Sequence, residues 1–189
     1  MDAGKATISG VFNGSRLLEI PFYQRAYVWG EEQWERFLGD MEFVTASKRP
    51  YFLGSIILKQ ESSGYTWSEV SEVRTVIDGQ QRLTTMVIFF KALCAKIDAN
   101  RLFERDFVLE TGEVALRHGK YDRQDFEKVV NATGSEPVEG SSAIIGAYNY
   151  FLKNIDPEKV DRNTIKSNVQ FVCIDLTEGE DEQQIFDTI

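Results

Sequence analysis

The chain has 189 residues, 42% of them hydrophobic and including 13 Phe, 7 Tyr and 3 Trp, enough to build one substantial core. Its 21 basic and 30 acidic residues leave a net charge of −9, which excludes indiscriminate wrapping of nucleic acid by the whole surface and confines any polyanion contact to a local basic pocket. No apolar run nears the ~20 residues of a membrane span and no signal-peptide pattern opens the chain, so a cytoplasmic protein is expected. A single His, His118, and two distant cysteines, Cys94 and Cys173, encode neither a zinc cluster nor a disulfide framework.

In chain order, a strand is predicted near Leu17 to Ile20, ending at Pro21. A dense aromatic and polar loop follows, Phe22-Tyr23-Gln24-Arg25-Ala26-Tyr27-Val28-Trp29. Trp34, Phe37, Leu38, Met41 and Val44 recur at helical spacing and predict a helix from about Glu31 to Ala46. Tyr51 to Lys59 and Glu72 to Ile77 read as buried strands, with Gln60 to Ser71 as a polar hairpin connection. After Asp78-Gly79 a long helix carries Leu83, Met86, Val87, Phe90, Leu93, Cys94 and Ile97 on one stripe, with Thr84, Thr85, Lys91 and Lys96 away from it and Cys94 a reduced core thiol. Short charged elements are expected at Phe103 to Leu109 and Asp122 to Val130, a loop at Asn131 to Gly140, a helix at Ser141 to Ile155, a strand at Asn168 to Leu176, and a helix starting at Asp181. The expected organisation is an α+β core over 1–99, a helical insert over 100–167 and a returning strand and helix start over 168–189, in a fragment of a longer protein.

Asp78-Gly79-Gln80-Gln81-Arg82 is the most informative stretch. A strand that delivers Gly to a helix N-terminus offers free backbone N–H groups and the positive end of the helix dipole to a phosphate. Arg82 in the first turn is unfavourable for the helix alone, which points to an anion nearby. Gly79 permits close approach, Arg82 can grip two oxygens, and Asp78 can hold Mg²⁺ or orient water. The same residues could equally form a capped turn with Gln80, Gln81 and Arg82 merely solvated. Tyr23-Gln24-Arg25 with Tyr27 is a second cluster, in which an Arg can bind phosphate while rings stack on a base. Composition alone favours the plainer alternative, in which the rings are core and Arg25 pairs with Asp40 or Glu42. Gly54, in Phe52-Leu53-Gly54-Ser55, marks a close packing contact within a strand. His118 receives no role.

Together, Ile20-Pro21-Phe22-Tyr23-Gln24-Arg25-Ala26-Tyr27-Val28-Trp29, Tyr51-Phe52-Leu53-Gly54-Ser55-Ile56 and Ile77-Asp78-Gly79-Gln80-Gln81-Arg82-Leu83-Thr84-Thr85 resemble the N-terminal domain of GmrSD-type restriction endonucleases. The resemblance implies a ParB/sulfiredoxin-like fold, a small mixed sheet with packed helices and a helical extension. It implies a domain that binds and hydrolyses a nucleoside triphosphate (GTP, CTP or ATP) with Mg²⁺, senses modified DNA and gates a C-terminal HNH-type nuclease that this chain lacks. A non-catalytic nucleotide or DNA switch is the alternative. By matching positions, Asp78, Gln81 and Arg82 would be catalytic, with Asp78 on the metal. Gly79, Gln80, Arg82, Gln24 and Arg25 would hold phosphate, and Tyr23 and Tyr27 would stack on a base.

Overall fold

The computed structural model describes residues 1–61 and 72–187. The elements run β1 (Asp2–Thr7), α1 (Ile8–Val11), β2 (Arg16–Glu19), α2 (Glu31–Ser47), β3 (Tyr51–Gln60), β4 (Glu72–Asp78), α3 (Gln80–Lys96), α4 (Asn100–Phe107), β5 (Leu116–Arg117), α5 (Arg123–Val130), α6 (Ala143–Asn154), α7 (Arg162–Asn168), β6 (Val169–Leu176) and α8 (Glu182–Phe186). The strands form one six-stranded mixed sheet in the order β1-β6-β3-β4-β2-β5. β3 is antiparallel to β4 and parallel to β6, β2 is parallel to both β4 and β5, and β1 closes one edge antiparallel to β6.

Alternation along the strands divides the apolar residues between two faces. Ile56, Leu58 and Val76 join the main core, while their neighbours Ile57 and Ile77 form a small cluster with Leu176, against which Ile174 and Ile185 pack. The main core is organised around α3, which is buried continuously from Leu83 to Cys94. Phe89 of α3 packs against Phe37 of α2 and Phe151 of α6 at centroid distances of 5.4 and 5.5 Å.

A helix hydrophobic on every side is a central helix, and this corrects the one-stripe expectation for α3. Thr84, Thr85 and Lys91 are all buried. Each is there because its polar atom finds a partner. Thr84 Oγ1 pairs with His118 Nε2 at 3.0 Å, Thr85 Oγ1 donates to Gln81 O at 2.7 Å, and Lys91 Nζ donates to Asn100 Oδ1 at 2.6 Å while lying 5.1 Å from the centre of the Phe103 ring. Burial lowers the Lys91 pKa, with the nearby Glu104 charge opposing the shift.

The predicted hairpin connection lies mostly outside the described residues. β1, α1, β5 and α7 are elements that the sequence pattern did not reveal. β5 sits within the stretch assigned to the helical insert and joins the sheet beside β2, so the 100–167 region is tied to the core by a strand as well as by helix packing. No helix among the described residues is long and apolar enough to cross a membrane.

Candidate phosphate-binding site

β4 ends at Asp78, and Gly79 turns the chain into α3 with φ of +97°. That left-handed conformation favours glycine, and the packing demands it as well. A Cβ on Gly79 would stand 2.6 Å from Ile56 Cγ2. Among the described residues no side chain caps α3, and its first backbone bond runs from Leu83 N to Gly79 O at 3.0 Å. The N–H groups of Gln80, Gln81 and Arg82 therefore precede the helical ladder with no acceptor among the described residues, at the positive end of a 17-residue helix.

The second motif forms the wall of this turn. β3 carries an irregularity between Phe52 and Gly54, and Gly54 takes a φ of +145°. Arg82 fills the space that opens: Nη1 donates to Ser55 O, and a Cβ on Gly54 would lie 2.8 Å from Nη1. The close contact expected at Gly54 is thus a contact with the site arginine. It fixes Arg82 while leaving its remaining N–H groups without a hydrogen-bond partner among the described residues.

The first motif is an irregular loop held against the turn by amides. Gln24 Nε2 donates to Ile77 O at 3.1 Å, and Gln80 Nε2 donates to Arg25 O at 3.0 Å. Gln81 Nε2 donates to Ala26 O at 3.2 Å, while its Oε1 accepts from Val28 N at 3.0 Å. In Gln81 one amide satisfies a backbone donor and a backbone acceptor at once, while Gln24 and Gln80 each donate to one carbonyl. The side chains of Gln24, Gln80 and Gln81 are thereby committed to holding the loop.

Besides Arg82 and the backbone N–H groups of the turn, Arg25, Asp78 and Tyr23 are left among the described residues for a ligand or for placing one. Arg25 is exposed, and among the described residues its guanidinium has no carboxylate partner, so the expected pairing with Asp40 or Glu42 is absent. Asp78 is half-buried opposite Ile57, and its carboxylate makes no hydrogen bond or ion pair among the described residues. Tyr23 is 61% exposed and lies beside Phe22 on an open cleft of about 650 Å³, also lined by Thr75, Arg117 and Lys120. Burial raises the Tyr23 pKa, with Glu182 and Glu61 adding to the rise.

Tyr27 is different. It is 5% exposed, and its hydroxyl accepts from Trp34 Nε1 at 2.9 Å and meets Thr85 Oγ1 at 2.7 Å. Burial pushes its pKa up to about 12. With no open ring face it offers no platform for a base, which corrects its assignment as a stacking residue. Its hydrogen bonds instead fasten the loop to α2 and α3.

One carboxylate is a sparse donor set. Among the described residues no three His, Cys, Asp or Glu side chains converge in a way that could hold a metal ion. A lone carboxylate still fits Mg²⁺, which keeps several waters and takes one or two carboxylates together with substrate phosphates. His118 went unassigned in the sequence and proves to be a support. It is buried, bonded to Thr84, and its ring lies 4.4 Å from that of Phe126; burial lowers its pKa to about 3. Only its isolation in a polar stretch could have drawn attention to it.

Fold and turn together define a mixed α/β domain in which three separate sequence motifs meet at one uncapped helix N-terminus. Residues 8–189 match the family model described as the GmrSD restriction endonuclease, N-terminal domain. The chain belongs to that family. Comparison with curated protein sequences gives no match.

Proposed function

We propose that the domain binds a nucleoside triphosphate (GTP, CTP or ATP) at the Asp78–Arg82 turn, hydrolyses it with Mg²⁺, and in doing so regulates a separate C-terminal nuclease part in response to modified DNA. The observation that carries this reading is the uncapped α3 N-terminus, which carries Arg82 tied to Ser55 O in its first turn and lies beside a loop presenting Arg25, unpaired among the described residues. The anionic γ-phosphate is the ligand such a cradle suits.

In this reading Gly79 lets phosphate oxygens reach the N–H groups of Gln80, Gln81 and Arg82. Arg82 and Arg25 stabilise the charge on the phosphoryl oxygens. Mg²⁺, when bound, neutralises phosphate charge, and Asp78 is the residue that would hold it. Gln24, Gln80 and Gln81 position the loop, and Tyr23 supplies an exposed ring for the base.

The engagement of both ends of the Gln81 amide favours a second reading. With Gln81 occupied and Asp78 given to the metal, no further side chain of the Asp78–Arg82 turn is left to orient water, and the domain would then serve as a switch that holds nucleotide without splitting it. Phosphate release from GTP, CTP and ATP, measured beside equilibrium binding for the wild type and Arg82→Ala, separates the two. Release that depends on Arg82 supports hydrolysis, and Arg82-dependent binding without release supports the switch. Neither binding nor release would refute the phosphate site.

A further inference from the structure

The loop that carries Arg25 has ties to α2, α3 and the end of β4 within the site described above, and a further tie from outside it. The backbone N–H of Tyr27 donates to Asp122 Oδ2 at 2.7 Å across 95 residues of sequence. Asp122 lies outside all three motifs. It occupies the N-cap position of α5, where an aspartate ordinarily accepts from its own helix, yet its side chain makes no capping bond. Its carboxylate is given to the loop instead. The neighbouring backbone reinforces the contact: Ile20 N donates to Arg117 O at 2.9 Å, and a Cβ on Gly119 would stand 3.3 Å from Pro21 O and 3.4 Å from Ile20 O.

Residues 117–122 therefore grip the loop on both sides of Arg25, at Ile20–Pro21 before it and at Tyr27 after it. We infer that Asp122 is a positioning residue for the nucleotide site: by accepting from Tyr27 N it fixes the backbone that presents Arg25 to the phosphates. The inference rests on the reading of the turn as a phosphate site. Arg25 has no side-chain partner among the described residues, so what the structure fixes is the backbone from which its side chain starts. A carboxylate suits the task because a charge-assisted hydrogen bond is stronger than a neutral one. Burial raises the Asp122 pKa while the Tyr27 N–H pulls it back down.

The test is a double-mutant cycle read by Mg·NTP affinity, with Asp122→Ala, Asp122→Asn, Arg25→Ala and the Asp122→Ala/Arg25→Ala pair, using the nucleotide that the wild type binds best. Asp122→Ala is expected to weaken binding about fivefold to tenfold, and Asp122→Asn, which keeps an acceptor, about twofold or less. In the Arg25→Ala background, Asp122→Ala should add less than about twofold, because the group it positions is gone. Hydrogen exchange gives a readout independent of nucleotide: the Tyr27 amide should be protected in the wild type and exposed in Asp122→Ala while the α3 amides stay protected. Additive affinity losses, or a Tyr27 amide unprotected in the wild type, would overturn the role of Asp122 alone. A wild type that binds no nucleotide would overturn the phosphate site and this inference with it.

Discussion

Replacing Gln81 with Leu separates a residue that holds the loop from one that handles attacking water. The side chain is 7% exposed and makes two hydrogen bonds, from Nε2 to Ala26 O and from Val28 N to Oε1. Leucine fills a similar volume, so cavity formation adds little. Each lost bond is worth about 0.5–1.5 kcal/mol net, and the two backbone groups lie on a loop that water can partly reach. The expected destabilisation is about 2 kcal/mol, a fall in Tm of roughly 4–8 °C for a domain of this size. Nucleotide affinity should fall with it, since the released segment carries Arg25. Gln81→Glu should be similarly costly, because a carboxylate keeps the acceptor for Val28 N but sets an oxygen against Ala26 O. Thermal unfolding followed by circular dichroism, beside nucleotide titration, makes the measurement. A Gln81→Leu protein with unchanged Tm that binds nucleotide normally and fails only in turnover would refute the clamp and restore a catalytic role.

Further expectations follow from the same contacts. Gly79→Ala combines a left-handed φ with a 2.6 Å approach to Ile56 and should cost about 2–4 kcal/mol in chemical denaturation. Gly54→Ala both places a side chain at a φ of +145° and displaces Arg82, so it should cost about 1–3 kcal/mol in chemical denaturation and, in isothermal titration of the folded protein, weaken nucleotide binding as well. His118 is held neutral with its pKa lowered to about 3, so below its unfolded value near 6.5 only the unfolded chain takes up the proton. Stability contributed by this residue should therefore fall as pH drops from about 6.5 towards 3, by up to about 1.4 kcal/mol per pH unit. His118→Gln should flatten that part of the profile in urea titrations at stepped pH. Tyr27→Phe leaves Trp34 Nε1 without its partner and should cost about 1–2 kcal/mol in the same denaturation assay.

The turn was legible in the sequence because its signals are local: a β-type run, a glycine and an arginine where a helix alone would not place one. The core helices and strands were legible where apolar spacing was strong, as for α2, β3 and β4. β1 was not, because Asp2-Ala3-Gly4-Lys5-Ala6-Thr7 has almost no strand propensity and exists through its ladder with β6. β5 is two residues long and depends wholly on β2. α7 is short and sparsely apolar, although Asp161 accepting from Thr164 N is a cap that its spacing could have suggested. Within the site, residue types indicated which side chains matter, but not which way they face. Gln81 and Tyr27 turn inward to backbone and core, Arg25 turns outward, and Asp122 enters from far along the chain. Such long-range hydrogen bonds leave no periodicity in a sequence.

The central claim is that a phosphate sits on the free N–H groups at the start of α3. Titrating the isotopically labelled domain with Mg²⁺ and GTP, CTP or ATP, and following backbone amide resonances, tests it most directly. The account predicts that the amides of Gly79, Gln80, Gln81 and Arg82 shift most, with Arg25 and Tyr23 following, and that Arg82→Ala abolishes the response. Saturable binding that leaves those four amides unmoved, or no binding of any of the three nucleotides, would contradict it.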